Sequence, residues 1–165
     1  MCTPGSSFSA VLNVASYPVT AASANIPFNQ ELTGSPDFSV STSQFVAPIT
    51  GTFQFSFGVD VVTSAATAAL LLANVANGSP VTVTLLSNGV TSVATWSFNA
   101  STTGPTAETH SGVATVHLVA GQKISLAISQ PLVTLYPANP QTLAGNATTD
   151  VQPYRSWFSG VYVGP

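Results

Sequence analysis

The stretch Phe38–Phe57 reads FSVSTSQFVAPITGTFQFSF and decides the fold. Its second half opens the run Gly51–Val61, in which large apolar residues occupy every other position. Because successive side chains of a β-strand point to opposite faces of the sheet, this spacing predicts a strand with one apolar face. The residues on that apolar face are Phe53, Phe55, Phe57 and Val59.

Further extended segments are predicted on both sides of this strand from short runs rich in Val, Phe and Thr. They are Ser7–Ala15, Ala24–Leu32, Val81–Leu86, Val90–Phe98, Gly112–Val119, Gln122–Ser129 and Trp157–Val163. The pair Asn88-Gly89 favours a type I′ hairpin turn, because both residues tolerate positive φ. Ala120-Gly121 predicts a second hairpin. Eight or more antiparallel strands indicate a sandwich, a jelly roll or a barrel, and the pattern alone does not choose among these.

Three segments are predicted to be loops, and no segment is predicted to be an amphipathic helix. The loops are Thr63–Ala69, Asn99–Thr109 and Gln130–Pro153. Long connections in compact domains are usually functional or mobile. The last loop contains Tyr136 and is followed by Tyr154 and Arg155, residue types that often anchor interfaces. We predict a binding loop there; the alternative is a segment that only packs over the side of the barrel.

The scarcity of charge excludes several classes of partner. Only 4% of the residues are charged and the net charge is −3, whereas an average soluble protein has roughly 25% charged residues. Lys123 and Arg155 are the only Lys and Arg residues, so neither nucleic acid nor an anionic membrane surface is expected as a partner. No run of about 18 apolar residues predicts a membrane span. The 45% hydrophobic content argues against disorder.

The beginning of the chain bears on its location. Met1–Ser7 has neither a charged start nor an apolar stretch, so we interpret it as a short leader and not as a signal peptide. Cys2 is the only cysteine, which excludes an internal disulfide. We expect an extracellular or particle-surface protein, on a spore, a cell or a virion, that is exported without an ordinary signal or was separated from one.

Few residues are candidates for chemistry. His110 and His117 are the only histidines, and we expect them at a loop end and on a strand facing solvent or a subunit boundary. No Gly-x-Ser-x-Gly elbow is present, and the five acidic residues are widely separated. Asp60 is the one candidate for calcium, because on a threefold axis it would supply three carboxylates. We predict no catalytic residue, no cofactor and no metal.

The opening stretch also carries a family resemblance. Together with Ile26-Pro27-Phe28-Asn29 and the closing Phe158-Ser159-Gly160, it resembles the globular-head family of complement's first component, which belongs with the tumour-necrosis-factor-like jelly rolls. The chain departs from that pattern at Phe53, where Tyr is frequent, and at Gly34, where Asn or Asp is expected. The residues that carry the resemblance are Phe38, Phe45, Gly51, Phe53, Phe55, Phe57, Phe158 and Gly160.

The resemblance implies an all-β, antiparallel jelly-roll domain over residues 8–165 that assembles as a homotrimer. Independently, Trp157–Val163 places large apolar groups on both faces of its strand, and such a strand needs a second cover. We expect a non-enzymatic structural or adhesive module, either the head or a repeating subunit of a surface fibre similar to bacterial collagen-like spore-surface proteins. The alternative is a receptor- or glycan-binding tip of a phage or virus fibre.

Overall fold

The computed structural model describes residues 6–74, 80–99, 106–131, 133, 140–145 and 155–165. These residues form thirteen strands and one helix, in two antiparallel sheets that face each other. In chain order the elements are β1 Ser7–Val11, β2 Ser16–Pro18, β3 Ala24–Asn25, β4 Gln30–Glu31, β5 Phe38–Ser39, β6 Gln44–Val46, β7 Gly51–Thr63, α1 Ala65–Asn74, β8 Pro80–Ser87, β9 Thr91–Asn99, β10 Thr106–Leu118, β11 Lys123–Ser129, β12 Thr142–Ala144 and β13 Trp157–Gly164.

Strand β7 organises the larger sheet. One edge pairs with β10 along all of Gly51–Thr63, and the other edge pairs first with β13 and then with β12. Beyond β13 lie β1 and β4, and beyond β12 lies β2. The smaller sheet has the order β5-β6-β11-β8-β9, with β3 also paired to β11. Neighbouring strands are mostly distant in sequence, as in a jelly roll, so the predicted antiparallel jelly-roll sandwich is confirmed.

The core between the sheets is built from phenylalanines. Phe8 stacks on Phe38 and Phe45, with ring centroids 4.7 and 5.1 Å apart. Phe45, from the smaller sheet, also meets Phe53 and Phe55 of β7 edge-on at 5.4 and 5.6 Å. Such contacts stabilise by about 0.5–1.5 kcal/mol each beyond simple burial. The rings therefore join the two sheets, which explains why the stretch 38–57 specifies the fold.

Gly160 in β13 is required by the same cluster. A Cβ atom at this position would lie 2.6 Å from a ring carbon of Phe8 and 2.8 Å from ring carbons of Phe55. The backbone of β13 therefore lies directly against the rings, and the signature glycine makes room for them.

The segment predicted as the loop Thr63–Ala69 is instead the end of β7 and the start of helix α1. Ser64 caps this helix, because its Oγ accepts a hydrogen bond from Thr67 N at 3.2 Å. Leu71 is buried against Val133, in a small cluster separate from the phenylalanine core. The prediction failed because Ala-rich helices are intrinsically stable yet show little apolar periodicity.

The two predicted hairpins had different outcomes. Asn88 and Gly89 both have positive φ, 51° and 76°, and Val90 N donates to Ser87 O at 3.2 Å, so the first turn is confirmed. The hairpin predicted at Ala120-Gly121 is wrong, because β10 pairs with β7 in the larger sheet while β11 pairs with β8 in the smaller one. The connection crosses from one sheet to the other, which alternation within each strand does not reveal.

Other predicted boundaries also differ. The predicted strand Ser7–Ala15 ends at Val11, and Ala24–Leu32 contains two separate two-residue strands. The loop predicted at Asn99–Thr109 is wrong at both ends, since β9 includes Asn99 and β10 begins at Thr106. Gln130–Pro153 is not wholly a loop, because it contains β12.

A buried amide pair fixes the start of this long connection to the sheet. Gln130 Nε2 donates to Gln141 Oε1 at 3.1 Å, and Gln141 Nε2 donates to Thr63 Oγ1 at 3.1 Å. All three side chains are buried. Buried amides require such partners, so the connection is held against the end of β7.

Phe55→Ala should destabilise the fold strongly, because Phe55 is 1% exposed and contacts four other rings. Buried Phe→Ala changes cost roughly 3–5 kcal/mol. Denaturant unfolding followed by circular dichroism measures this loss. Val90→Ala is the matched control, since Val90 is 82% exposed at a hairpin tip. Equal unfolding midpoints for the two variants would mean that the faces of β7 are assigned wrongly.

Candidate functional site

The outward face of the larger sheet is the candidate site. The register of β1, β13, β7 and β10 aligns three consecutive rows of side chains that point away from the core. We call these twelve residues the outward face. The rows are Val11, Trp157, Gly58 and Ser111; Ser9, Ser159, Ser56 and Val113; and Ser7, Val161, Gln54 and Thr115. Val11 is already fully buried within the chain and Gly58 lies beneath Trp157, so the other ten residues form the accessible part of the face.

No residue of the outward face is charged. Six carry hydroxyl groups, one carries an amide and five are apolar. At its centre the hydroxyls of Ser56 and Ser159 lie 2.8 Å apart and form a hydrogen bond. Val113 and Val161 are 60% and 40% exposed. A wide sheet face that is neither charged nor fully apolar can be covered by another protein surface at a small desolvation cost.

Trp157 provides the largest side chain of the outward face. Its register partner in β7 is Gly58, and a Cβ atom there would lie 2.4 Å from Trp157 Nε1. The indole therefore rests on the backbone of β7, where it is half-buried. Indole rings that combine an apolar body with one polar atom are common anchors of interfaces.

Charged and titratable residues lie at the ends of this face. His117 is exposed at one end of β10, and its Nδ1 is 3.4 Å from Thr52 Oγ1. Asp60 lies beyond the opposite end, where its backbone N donates to Ser156 Oγ at 3.2 Å. In the described ranges no three His, Cys, Asp or Glu side chains lie together as a metal site. The calcium hypothesis at Asp60, which needs three copies, stays untested.

His110 does not lie at a loop end as expected. It lies within β10, and its ring stacks on Phe98 of β9 with centroids 4.3 Å apart. Its Nε2 is 3.8 Å from a carboxylate oxygen of Glu108. Among the described residues neither histidine is hydrogen-bonded to a serine, so the geometry offers no paired serine and base.

The sequence-predicted site residues fall into two groups. The eight residues of the family signature are all buried. The six phenylalanines form part of the core, and side chains pack directly against the two glycines, so all eight specify the fold. Of the predicted binding loop, Arg155 is exposed two residues before β13 begins, while Tyr136 and Tyr154 lie outside the described residues. The binding loop therefore stays a prediction.

The outward face was only partly visible in the sequence. The apolar residues on both sides of β13 indicated a second cover, and the structure places Trp157 and Val161 outward and Phe158 inward. The contribution of β10 was missed, because its alternation of small and polar residues is weak. The register with β7 reveals it.

Helix α1, with ten residues, is too short to cross a bilayer, and no other helix in the part of the chain that the structure describes is long and apolar enough to do so.

Comparison with solved structures identifies the fold. The globular domain of the zebrafish complement 1qA protein is similar over 95% of this chain and 96% of its own, with a TM-score of 0.58 and 18% identity. The Eiger TNF of S. frugiperda is similar over 98% of this chain and 94% of its own, with a TM-score of 0.66 and 12% identity. The chain thus has the TNF-like jelly-roll fold, as the resemblance implied. No protein-family model matches it, and no curated protein matches it.

Gly58→Ala should displace Trp157, because the added carbon would occupy the position of the indole ring. The ring must leave the backbone of β7, so we expect a shifted fluorescence emission maximum, a changed accessibility to acrylamide, and a change in the unfolding free energy of the subunit of about 1 kcal/mol or less. In a Trp157→Phe background the same substitution should leave the emission of Trp96 unchanged. Identical spectra of Gly58→Ala and the unmodified protein would contradict this packing.

Proposed function

We propose that the chain is a non-enzymatic, extracellular module that assembles as a homotrimer through the outward face. The single observation that supports this is the absence of charge from twelve adjacent positions on four strands. The threefold assembly implied by the family resemblance packs one sheet of each subunit toward a common axis. The outward face is the surface of this chain best suited to that role.

The chemistry of the face favours contact between identical copies. Hydroxyl groups both donate and accept hydrogen bonds, so a surface rich in serine is complementary to a copy of itself. Burying them costs far less than burying ions, provided that each finds a partner. Val113, Val161 and Trp157 add apolar area around the polar centre, which gives the assembly its hydrophobic gain.

The biological role that we propose is structural or adhesive: the head, or a repeating subunit, of an extracellular surface fibre of the collagen-like or spore-surface type. With five acidic and two basic side chains, few groups change charge with pH, and screening by salt affects few pairs. An assembly held by hydroxyls and apolar groups therefore keeps its strength across external conditions. Durable external structures require that property.

Ser56→Lys tests the proposal, because it places an ammonium group at the centre of the outward face. In the free chain this group is solvated, but in the trimer three of them would be desolvated without partners, at a cost of several kcal/mol each. We expect sedimentation velocity to show loss of the trimer, with the circular dichroism spectrum of the fold retained.

Thr84→Lys is the matched control, since Thr84 lies on the outer side of the smaller sheet and pairs with Ala127 and Thr95. It should leave the trimer intact. A Ser56→Lys protein that sediments like the unmodified trimer would overturn the assignment of the interface. A trimer that only Thr84→Lys disrupts would move the interface to the smaller sheet.

A further inference from the structure

A cleft of about 400 Å³ lies away from the centre of the outward face, near the start of β1. Its walls come from Ser6 and Ser7 at the start of β1, from the β4–β5 connection and from the β6–β7 connection. Small-molecule sites usually have volumes of roughly 300–1,000 Å³. The cleft is therefore large enough for a small organic ligand.

The polar side of the cleft is built from hydroxyl groups around one carboxylate. Ser6, Ser7, Thr33 and Ser35 supply the hydroxyls, and Asp37 supplies the carboxylate. The hydroxyls of Ser7 and Ser35 can each donate to one ligand oxygen and accept from another. Those of Ser6 and Thr33 already donate within the chain, to Asp37 and Glu31, so toward a ligand they accept, as the carboxylate does. Such a lining matches a ligand that itself carries several hydroxyl groups.

Asp37 is held in a fixed orientation. Ser6, which is 8% exposed, donates from Oγ to Asp37 Oδ2 at 2.8 Å. Asp37 N donates to Ser35 Oγ at 3.2 Å, and Asp37 O accepts from Val46 N at 2.8 Å. The second carboxylate oxygen, Oδ1, accepts no hydrogen bond from the described part of the chain. A prearranged charged acceptor with a free oxygen is what a binding site for hydroxyl groups needs.

The turn that carries Thr33 and Ser35 is also fixed. The carboxylate of Glu31 accepts hydrogen bonds from Thr33 N at 3.1 Å, from Thr33 Oγ1 and from Gly34 N. Partial burial raises the pKa of Glu31, but hydrogen bonds from Thr33, Ser35 and Gly34 outweigh it and hold the pKa below its ordinary value of 4.5. The turn is therefore tied in place at neutral pH, and Thr33 and Ser35 keep their positions.

The remaining wall is apolar. Pro36, Pro48 and Ile49 line it, and Ile49 packs against the phenylalanine core. The rigid proline rings and the anchored isoleucine present a surface that the C–H groups of a sugar ring can cover. A polar side and an apolar side in one cleft fit an amphipathic ring.

We propose that this cleft binds a neutral sugar residue. Lys123 and Arg155, the only Lys and Arg of the sequence, are both among the described residues, and neither lines the cleft, so it offers no counter-charge for an anionic ligand. Calcium prefers six to eight oxygen ligands and several carboxylates, and the lining has one carboxylate. A neutral polyhydroxylated ring uses both the hydroxyl groups and the apolar wall. The inference goes beyond the proposed function and does not depend on it, because Asp37, Pro48 and Ile49 lie outside the outward face, with which the cleft shares Ser7.

The test is saturation-transfer NMR and titration with the methyl glycosides of glucose, galactose, mannose, rhamnose and N-acetylglucosamine. We expect at least one to bind with a Kd on the order of 1 mM, a value typical of weak binding. Asp37→Asn should lower the affinity for that sugar roughly tenfold or more, since hydrogen bonds to a charged group contribute about 1.5–3 kcal/mol. Pro48→Trp, a change at an exposed rim position, should block the apolar wall and also weaken binding.

Glu108→Gln is the matched control, because it also removes one carboxylate, but far from the cleft. Glu108 pairs with Val61, ten residues along β7 from Gly51, the end of the strand that lies next to Pro48 and Ile49 of the cleft. At ~3.3 Å per residue this is about 33 Å away. It should leave binding unchanged.

Four results would overturn the proposal. The first is that none of the five glycosides binds, and the second is that the unmodified protein and both cleft variants bind a glycoside equally well. The third is that Glu108→Gln weakens glycoside binding as much as Asp37→Asn does, and the fourth is that glucuronic acid or calcium binds more tightly than every neutral glycoside. The mass of the assembly, measured on the same samples, separates this proposal from the first. A monomer that binds sugar contradicts only the trimer, and a trimer that binds none contradicts only the cleft.

Discussion

The alternation of side chains along β7 is the constraint on which the structure depends. Its inward residues join the two sheets through the ring contacts of Phe53 and Phe55 with Phe45. Its outward residues, among them Ser56 and Gly58, form the centre of an uncharged face. Because a shift of one residue would exchange the two faces, the register with β10 and β13 fixes the core and the outward face together. One strand thus sets both the stability of the subunit and the surface by which we propose that copies meet.

Much of this fold could be predicted from the sequence because its information is local. The period of two in Gly51–Val61 identified the core strand β7. Asn88-Gly89 identified the turn between β8 and β9 from the backbone conformation that these two residues tolerate. The spacing of Phe38, Phe45 and the closing Phe158 pointed to the jelly roll, and these side chains do meet in one cluster. Each of these patterns reflects a contact or a conformation that depends on few residues.

The features that could not be predicted depend on tertiary placement. Helix α1 consists mainly of Ala and Leu residues, and its Leu71 is buried against Val133, far along the chain. Nothing within β10 or β11 records that they lie in different sheets. The cleft gathers Ser6, which directly precedes β1, with Asp37 and Pro48 from two separate connections, and these residues form no sequence motif. Tyr136 and Tyr154 lie outside the described residues, so the binding loop stays a prediction from the sequence.

We propose that an uncharged sheet face holds identical copies together. Native mass spectrometry of the unmodified chain tests this most directly, because it counts the copies without any substitution. We expect a dominant species of three chains, each of 16.8 kDa, that persists when the ionic strength of the volatile buffer is raised, since the outward face carries no charges to screen. A chain that is monomeric at micromolar concentration, or a trimer that dissociates as salt is added, would contradict it.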